Sequence, residues 1–168
     1  MIRKINGVNV RNFDYNNATV SHTGNTIQTK LMSVLIPANT FKNGDLIDIE
    51  GVFYKTGTAG SYTYRFYWHT LDQISGATLL ATRAIGAANI FASGTRRLSV
   101  RIADGSGSAP NIGTHVISAT AGLYNEYQSN DHSDLALNWT VDSYLMASIT
   151  LGSAADTATQ LSFKIWTY

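Results

Sequence analysis

Leu46-Ile47-Asp48-Ile49-Glu50-Gly51-Val52-Phe53-Tyr54 is the stretch whose reading decides the fold. Ile47, Ile49 and Phe53 share one parity, and Asp48 and Glu50 take the other. Successive side chains of a strand point to opposite faces, so this period of two reads as a half-buried β-strand. The pattern returns along the chain. Leu98, Val100 and Ile102 alternate with Ser99 and Arg101, and further faces form at Leu135, Leu137, Trp139 and Val141. Leu145, Ala147, Ile149 and Leu151 make another, and Leu161, Phe163 and Ile165 the last.

Two segments are denser. Lys30 to Pro37 is nearly continuous in apolar residues, and Tyr62, Tyr64, Phe66 and Trp68 share one face of an aromatic run. Such runs fit strands covered on both sides, with the four aromatic rings filling a core. Asn43-Gly44-Asp45, Gly57 to Gly60, Ser75-Gly76, Ser93-Gly94, Asp104 to Gly107 and Gly152-Ser153 separate the runs with residues suited to tight turns. About eight strands, punctuated at intervals of roughly ten residues, predict an all-β, single jelly-roll-like antiparallel β-sandwich. Helix is expected only in short pieces, such as Ala119 to Gln128.

The 168 residues suit one domain, and 44% hydrophobic content is enough to build its core. Only 14% of residues are charged, against the usual quarter. A surface so poor in charge is covered by small polar residues or is partly buried against other chains. The formal net charge of +1 and the absence of a basic stripe argue against a nucleic-acid partner. Cysteine is absent, which removes disulfides, thiol nucleophiles and cysteine-based zinc sites. No apolar run approaches bilayer length and the start lacks a signal-peptide core, so membrane insertion is not expected. A boundary falls near Ala18: residues 1–17 read as an N-terminal arm, and residues 18–168 as the sandwich domain.

A catalytic centre does not emerge. His22, His69, His115 and His132 share no metal-ligand spacing and read as surface or interface side chains. Glu126, Asp131, His132 and Asp134 gather in one polar stretch, but without the spacing of a calcium loop. Asp48 and Glu50 stand on one strand face, as paired glycosidase carboxylates could, but that chemistry needs a cleft and a raised pKa, and a solvated strand face is the better reading. Nucleophile-elbow, phosphate-loop and zinc-protease motifs are missing. The expectation is a protein that is not an enzyme and carries no metal or cofactor.

Several stretches together point further. They are Val20-Ser21-His22-Thr23-Gly24-Asn25-Thr26, Ser33 to Phe41 and Gly44 to Gly57, then Asn138 to Tyr144 and Ile149 to Thr159. In this order they resemble the β-sandwich domains of tailed-bacteriophage virion proteins, especially the terminal domains of tail and head fibres. The likeness spans residues 18–168. It implies a structural virion protein, made in the host bacterial cytoplasm, assembling as a homotrimer with other virion proteins and contacting host-surface glycans. A fibre carries a long shaft before such a domain, and only residues 1–17 precede it here. That departure favours a capsid decoration, head-fibre or tail-associated protein. On this reading Ile2, Ile5, Val8, Val10 and Phe13 of the arm dock to the particle. The runner-up is a carbohydrate-binding module or lectin-like receptor-binding domain. Tyr54, Tyr67, Tyr124 and Tyr127 would then be its candidate glycan contacts, because exposed aromatic rings stack on sugar faces.

Overall fold

The computed structural model describes residues 2–5, 8–16, 18–41, 45–85, 92–101, 108–110 and 134–167. These contain twelve strands and no helix. In chain order they are β1 (Ile2–Ile5), β2 (Val8–Asn16), β3 (Val20–Thr23), β4 (Thr29–Ile36), β5 (Leu46–Thr56) and β6 (Tyr62–His69). They continue as β7 (Thr78–Ile85), β8 (Ala92–Arg101), β9 (Ser108–Pro110), β10 (Asp134–Ala136), β11 (Ser143–Leu151) and β12 (Thr157–Thr167).

Eight of them realise the expected jelly roll. One sheet carries the order β3-β12-β5-β8 and the other β4-β11-β6-β7, with every pairing antiparallel. The chain alternates between the two sheets, pausing in the four-stranded one only for the β6–β7 hairpin. That winding is what distinguishes a jelly roll from a simple meander. The strands beyond eight are additions to this plan. β1 and β2 form a hairpin at the sheet edge, and β2 pairs with Phe163–Thr167 of β12 while β3 pairs with Thr157–Gln160. β2 and β3 therefore run along successive halves of one neighbour, making the larger sheet six-stranded. β9 and β10 form a separate small ladder.

The alternation in β5 is realised as expected. Ile47, Ile49 and Phe53 are buried, and inward parity continues through Gly51 to Lys55. Across the core, Tyr62, Tyr64 and Phe66 of β6 point inward, with Trp68 packed beside them. Phe53 stacks on Tyr64 with centroids 4.2 Å apart and meets Tyr62 edge-on at 5.7 Å. Phe66 reaches Phe163 of the opposing sheet at 5.6 Å. Aromatic pairs of this kind add about 0.5–1.5 kcal/mol each beyond area burial.

One polar tie crosses this core. The Tyr64 hydroxyl donates to Gln160 Oε1 at 2.8 Å, and Gln160 Nε2 donates to the Ser162 carbonyl at 2.8 Å. Burial pushes the Tyr64 phenol far above its ordinary value, against the opposing pull of Gln160. The hydroxyl is thus a neutral donor. Gly51 lies directly under it, and a Cβ there would collide with Tyr64 Oη and meet Gln160 Nε2 at 3.0 Å.

Three expectations shift. Leu161 is exposed because the β12–β5 register slips between Gln160 and Ser162, and this bulge turns the residue out of the inward series. Val141 is exposed because β10 ends at Ala136. Leu137 and Trp139 bury themselves from a connecting segment, Trp139 edge-on to Phe41 at 5.0 Å. Asp48 points outward yet is buried and engaged in a polar interaction, with Trp166 opposite it in the ladder. The short helix expected over residues 119–128 lies outside the described residues.

Candidate functional site

The jelly roll presents two outward faces. On the six-stranded sheet the outward positions of β5 are Asp48, Glu50, Val52 and Tyr54, of which Tyr54 is 37% exposed. The bulged Leu161 is exposed on the neighbouring strand. On the four-stranded sheet the outward positions include Leu35 of β4, Tyr144 and Met146 of β11, Arg65 and Tyr67 of β6, and Leu79 of β7.

Two connecting segments wall this second face. From one side Gln28 Nε2 donates to Tyr67 Oη at 2.9 Å and to Ser148 Oγ at 3.0 Å. From the other, the β6–β7 loop is strapped across β11. Lys30 Nζ meets Asp72 Oδ2 at 2.7 Å and donates to the Asp72 carbonyl at 2.9 Å. Partial burial raises the Asp72 carboxyl, but hydrogen bonds from Lys30 and Ser33 and the Lys30 charge hold it below its ordinary 3.8. The pair is partly solvent-exposed, so its contribution to stability is small. Under this cover Met146 is buried. Apolar side chains are among those left open: Leu35 and Leu79 on the sheet, and Ile27 (71%) and Leu71 (55%) on the flanking segments, beside the exposed Thr82, Asp72 and Gln73.

A third region is interior. Lys55 and Asp156 are both 0% exposed, with Lys55 Nζ 3.2 Å from Asp156 Oδ2. Lys55 also donates to the Thr58 carbonyl at 2.5 Å. The other carboxylate oxygen, Oδ1, accepts from the Thr58 N–H at 2.6 Å and the Thr58 hydroxyl at 2.7 Å. Oδ2 accepts no hydrogen bond. Burial raises the Asp156 carboxyl, but the Thr58 donors and the Lys55 charge outweigh it and hold the group below its ordinary 3.8. Gly57 makes the close approach feasible: its φ is +115°, and a Cβ there would stand 2.6 Å from the Ala155 carbonyl oxygen. The cluster fastens the β5–β6 loop to the β11–β12 turn, and Thr23 Oγ1 joins it by donating to the Asp156 carbonyl at 3.1 Å.

The candidate residues from the sequence scatter over this frame. Tyr54 and Tyr67 lie on opposite outward faces, and Tyr67 is only 8% exposed, its ring covered and its hydroxyl already engaged. Ile2 and Ile5 belong to β1, and Val8, Val10 and Phe13 to β2, at the outer edge of the six-stranded sheet. Tyr124 and Tyr127 lie outside the described residues, as do His115, His132, Glu126 and Asp131. His22 is buried beside Thr29, and His69 Nδ1 accepts from the Leu71 N–H at 2.7 Å. Among the described residues no three metal-ligating side chains converge, and no helix is long and apolar enough to cross a membrane. The Lys55–Asp156 pair escaped the sequence reading. The signal was present in parity, since Lys55 continues the inward series of Ile47, Ile49 and Phe53.

No protein-family model and no curated protein matches the chain. Among solved structures it is similar to the CBM2 module of the evolved Dit of Lactobacillus casei BL23 phage J-1. That match has 10% identity and a TM-score of 0.43, covering 99% of this chain and 78% of that one. The potassium-bound carbohydrate recognition domain of Emp46p is similar at 11% identity and TM-score 0.37, covering 82% and 76%. The infectious bursal disease virus Gx strain structure follows at 13% and 0.31, covering 94% and 40%. At such identities and TM-scores these likenesses carry no functional argument.

Proposed function

We propose that this protein is a structural component of a tailed-bacteriophage virion, a decoration, head-fibre or tail-associated protein, that acts by assembling as a homotrimer. The observation that carries the reading is the open apolar side chains around the four-stranded sheet: Leu35, Leu79, Ile27 and Leu71. Exposed large apolar side chains on and around one sheet face favour association, and a chain with 14% charged residues has little to oppose it. The sequence resemblance supplies the particle.

Light scattering on the purified chain tests the assembly. The expected mass is three times 18.2 kDa, about 55 kDa. Leu35→Asp combined with Leu79→Asp alters only outward positions and is expected to return the mass to that of one chain, with the folded β spectrum retained. A wild-type chain that is monomeric at every concentration would sink the proposal. An unchanged trimer in the double variant would move the interface to another face.

A second reading, adhesion to a host-surface glycan, is favoured by one observation, the exposed Tyr54 ring on the opposite sheet face. Tyr54→Ala is expected to abolish reproducible binding on a glycan array while leaving the oligomer intact. An array on which wild type binds nothing rules this reading out.

A further inference from the structure

We infer that Lys55 and Asp156 are the two ends of an intramolecular amide cross-link, formed by condensation of the buried ammonium and carboxylate. The inference does not depend on the virion reading. Its basis is the geometry of the interior cluster. Nucleophile and electrophile are both wholly buried, in contact at 3.2 Å, and positioned by the loops that fold around them. The carboxyl carbon stands one bond from that contact.

The environment supplies what the reaction needs. In the first step a proton passes from Lys55 Nζ to Asp156 Oδ2, giving a neutral amine and a carboxylic acid. Burial pushes toward this exchange, while the Thr58 donors and the Lys55 charge keep the ion pair as the ground state, so the neutral pair is the minor, reactive form. Oδ2 is the oxygen placed to receive the proton, since it lies 3.2 Å from the ammonium while the Thr58 donors engage Oδ1. The amine lone pair then attacks Cγ. Negative charge develops on Oδ1, where the Thr58 N–H and hydroxyl already point at 2.6 and 2.7 Å. Donors aimed at a developing oxyanion are the strongest single aid to acyl transfer. The Thr58 carbonyl, accepting from Nζ at 2.5 Å, orients the amine and takes up its N–H. The C–Oδ2 bond breaks, nitrogen gives up a proton to the departing hydroxyl, and one water leaves. The product is a Nζ–Cγ amide, with atoms and charge balanced and no outside reagent.

In dilute water an amine and a carboxylate do not condense. Two groups fixed by a folded protein react as though at effective concentrations of roughly 10⁵–10⁸ M. The water released leaves a site that neither side chain shares with solvent, so the reverse reaction lacks its reagent. The link would join the end of β5 to the turn that begins β12, across residues 55 to 156.

Intact-mass spectrometry of the purified protein decides the matter. The expected mass is about 18 Da, one water, below that of the sequence. Proteolysis should yield one branched peptide containing both residues. Lys55→Arg keeps the positive charge but offers no nucleophilic amine, so the deficit should vanish in that variant. Asp156 could also lose water by closing a succinimide with its own backbone. That deficit would persist in Lys55→Arg and would overturn the proposal. A wild-type mass equal to the sequence after prolonged incubation overturns it too, leaving the pair as a salt bridge only. Neither result touches the oligomer measurement.

Discussion

Asp156→Ala is expected to lower the stability of the folded chain by about 3–5 kcal/mol. Domains of this size have total stabilities of roughly 5–15 kcal/mol, so the variant should sit near the edge of folding. Lys55 would be left as a buried cation with only the Thr58 carbonyl as partner, and both Thr58 donors would lose their acceptor. The loss therefore comes from stranded groups and not from the worth of the pair itself. A double variant separates these. Lys55→Met with Asp156→Asn removes both charges and keeps an oxygen for the Thr58 donors, so it should recover most of the lost stability. Guanidinium unfolding at constant slope gives the comparison. A single-variant loss under about 1 kcal/mol would mean that the site relaxes or admits water.

The same pair sets an acid limit. Asp156 titrates below its ordinary 3.8 in the folded chain, so its contribution is complete above that value and is lost as pH falls through the lower, folded value. The gap between wild type and Asp156→Ala should therefore close in strong acid. In a chain carrying the Lys55–Asp156 amide the carboxyl no longer exists, and the wild type should show no acid transition from this group. The pH series and the intact mass thus report on one question by independent means.

Sequence parity carried the fold a long way because a strand has only two sides. Ile47, Ile49 and Phe53 had one place to go, and the aromatic run from Tyr62 to Phe66 could face only a core. Where parity misled, a longer-range event intervened. Leu161 left its series through a register slip that no local pattern announces. Asp48 has the outward parity expected of it, yet it is buried and engaged in a polar interaction, which parity does not reveal. The site was legible only in part for the same reason. Tyr67 has the same outward parity as Arg65 and reads as available, but Gln28, 39 residues away in sequence, occupies its hydroxyl. Lys55 was readable in principle, though a lysine at inward parity invites the assumption that the strand has already ended. Its partner lies 101 residues on, which puts the pairing beyond reach of sequence alone.

Phe66→Ala is expected to have an effect of similar size, about 3–5 kcal/mol, by a different route. Phe66 is fully buried, meets Tyr64 edge-on at 5.4 Å and bridges to Phe163 of the opposing sheet at 5.6 Å. Truncation removes its transfer free energy and leaves a cavity between two sheets whose spacing is fixed by their other side chains. The β-ladders at β11 and β7 hold the backbone on either side, so collapse into the space should be slight. Leu79→Ser on the outward side of the neighbouring strand is the natural contrast. Exposed as it is in the single chain, its loss should change monomer stability by no more than about 0.5 kcal/mol. If the outward face is the trimer contact, Leu79→Ser should instead weaken association, seen as a concentration-dependent mass. A large stability loss at Leu79 in the isolated chain, or a small one at Phe66, would reverse the assignment of inner and outer faces on which the assembly proposal rests.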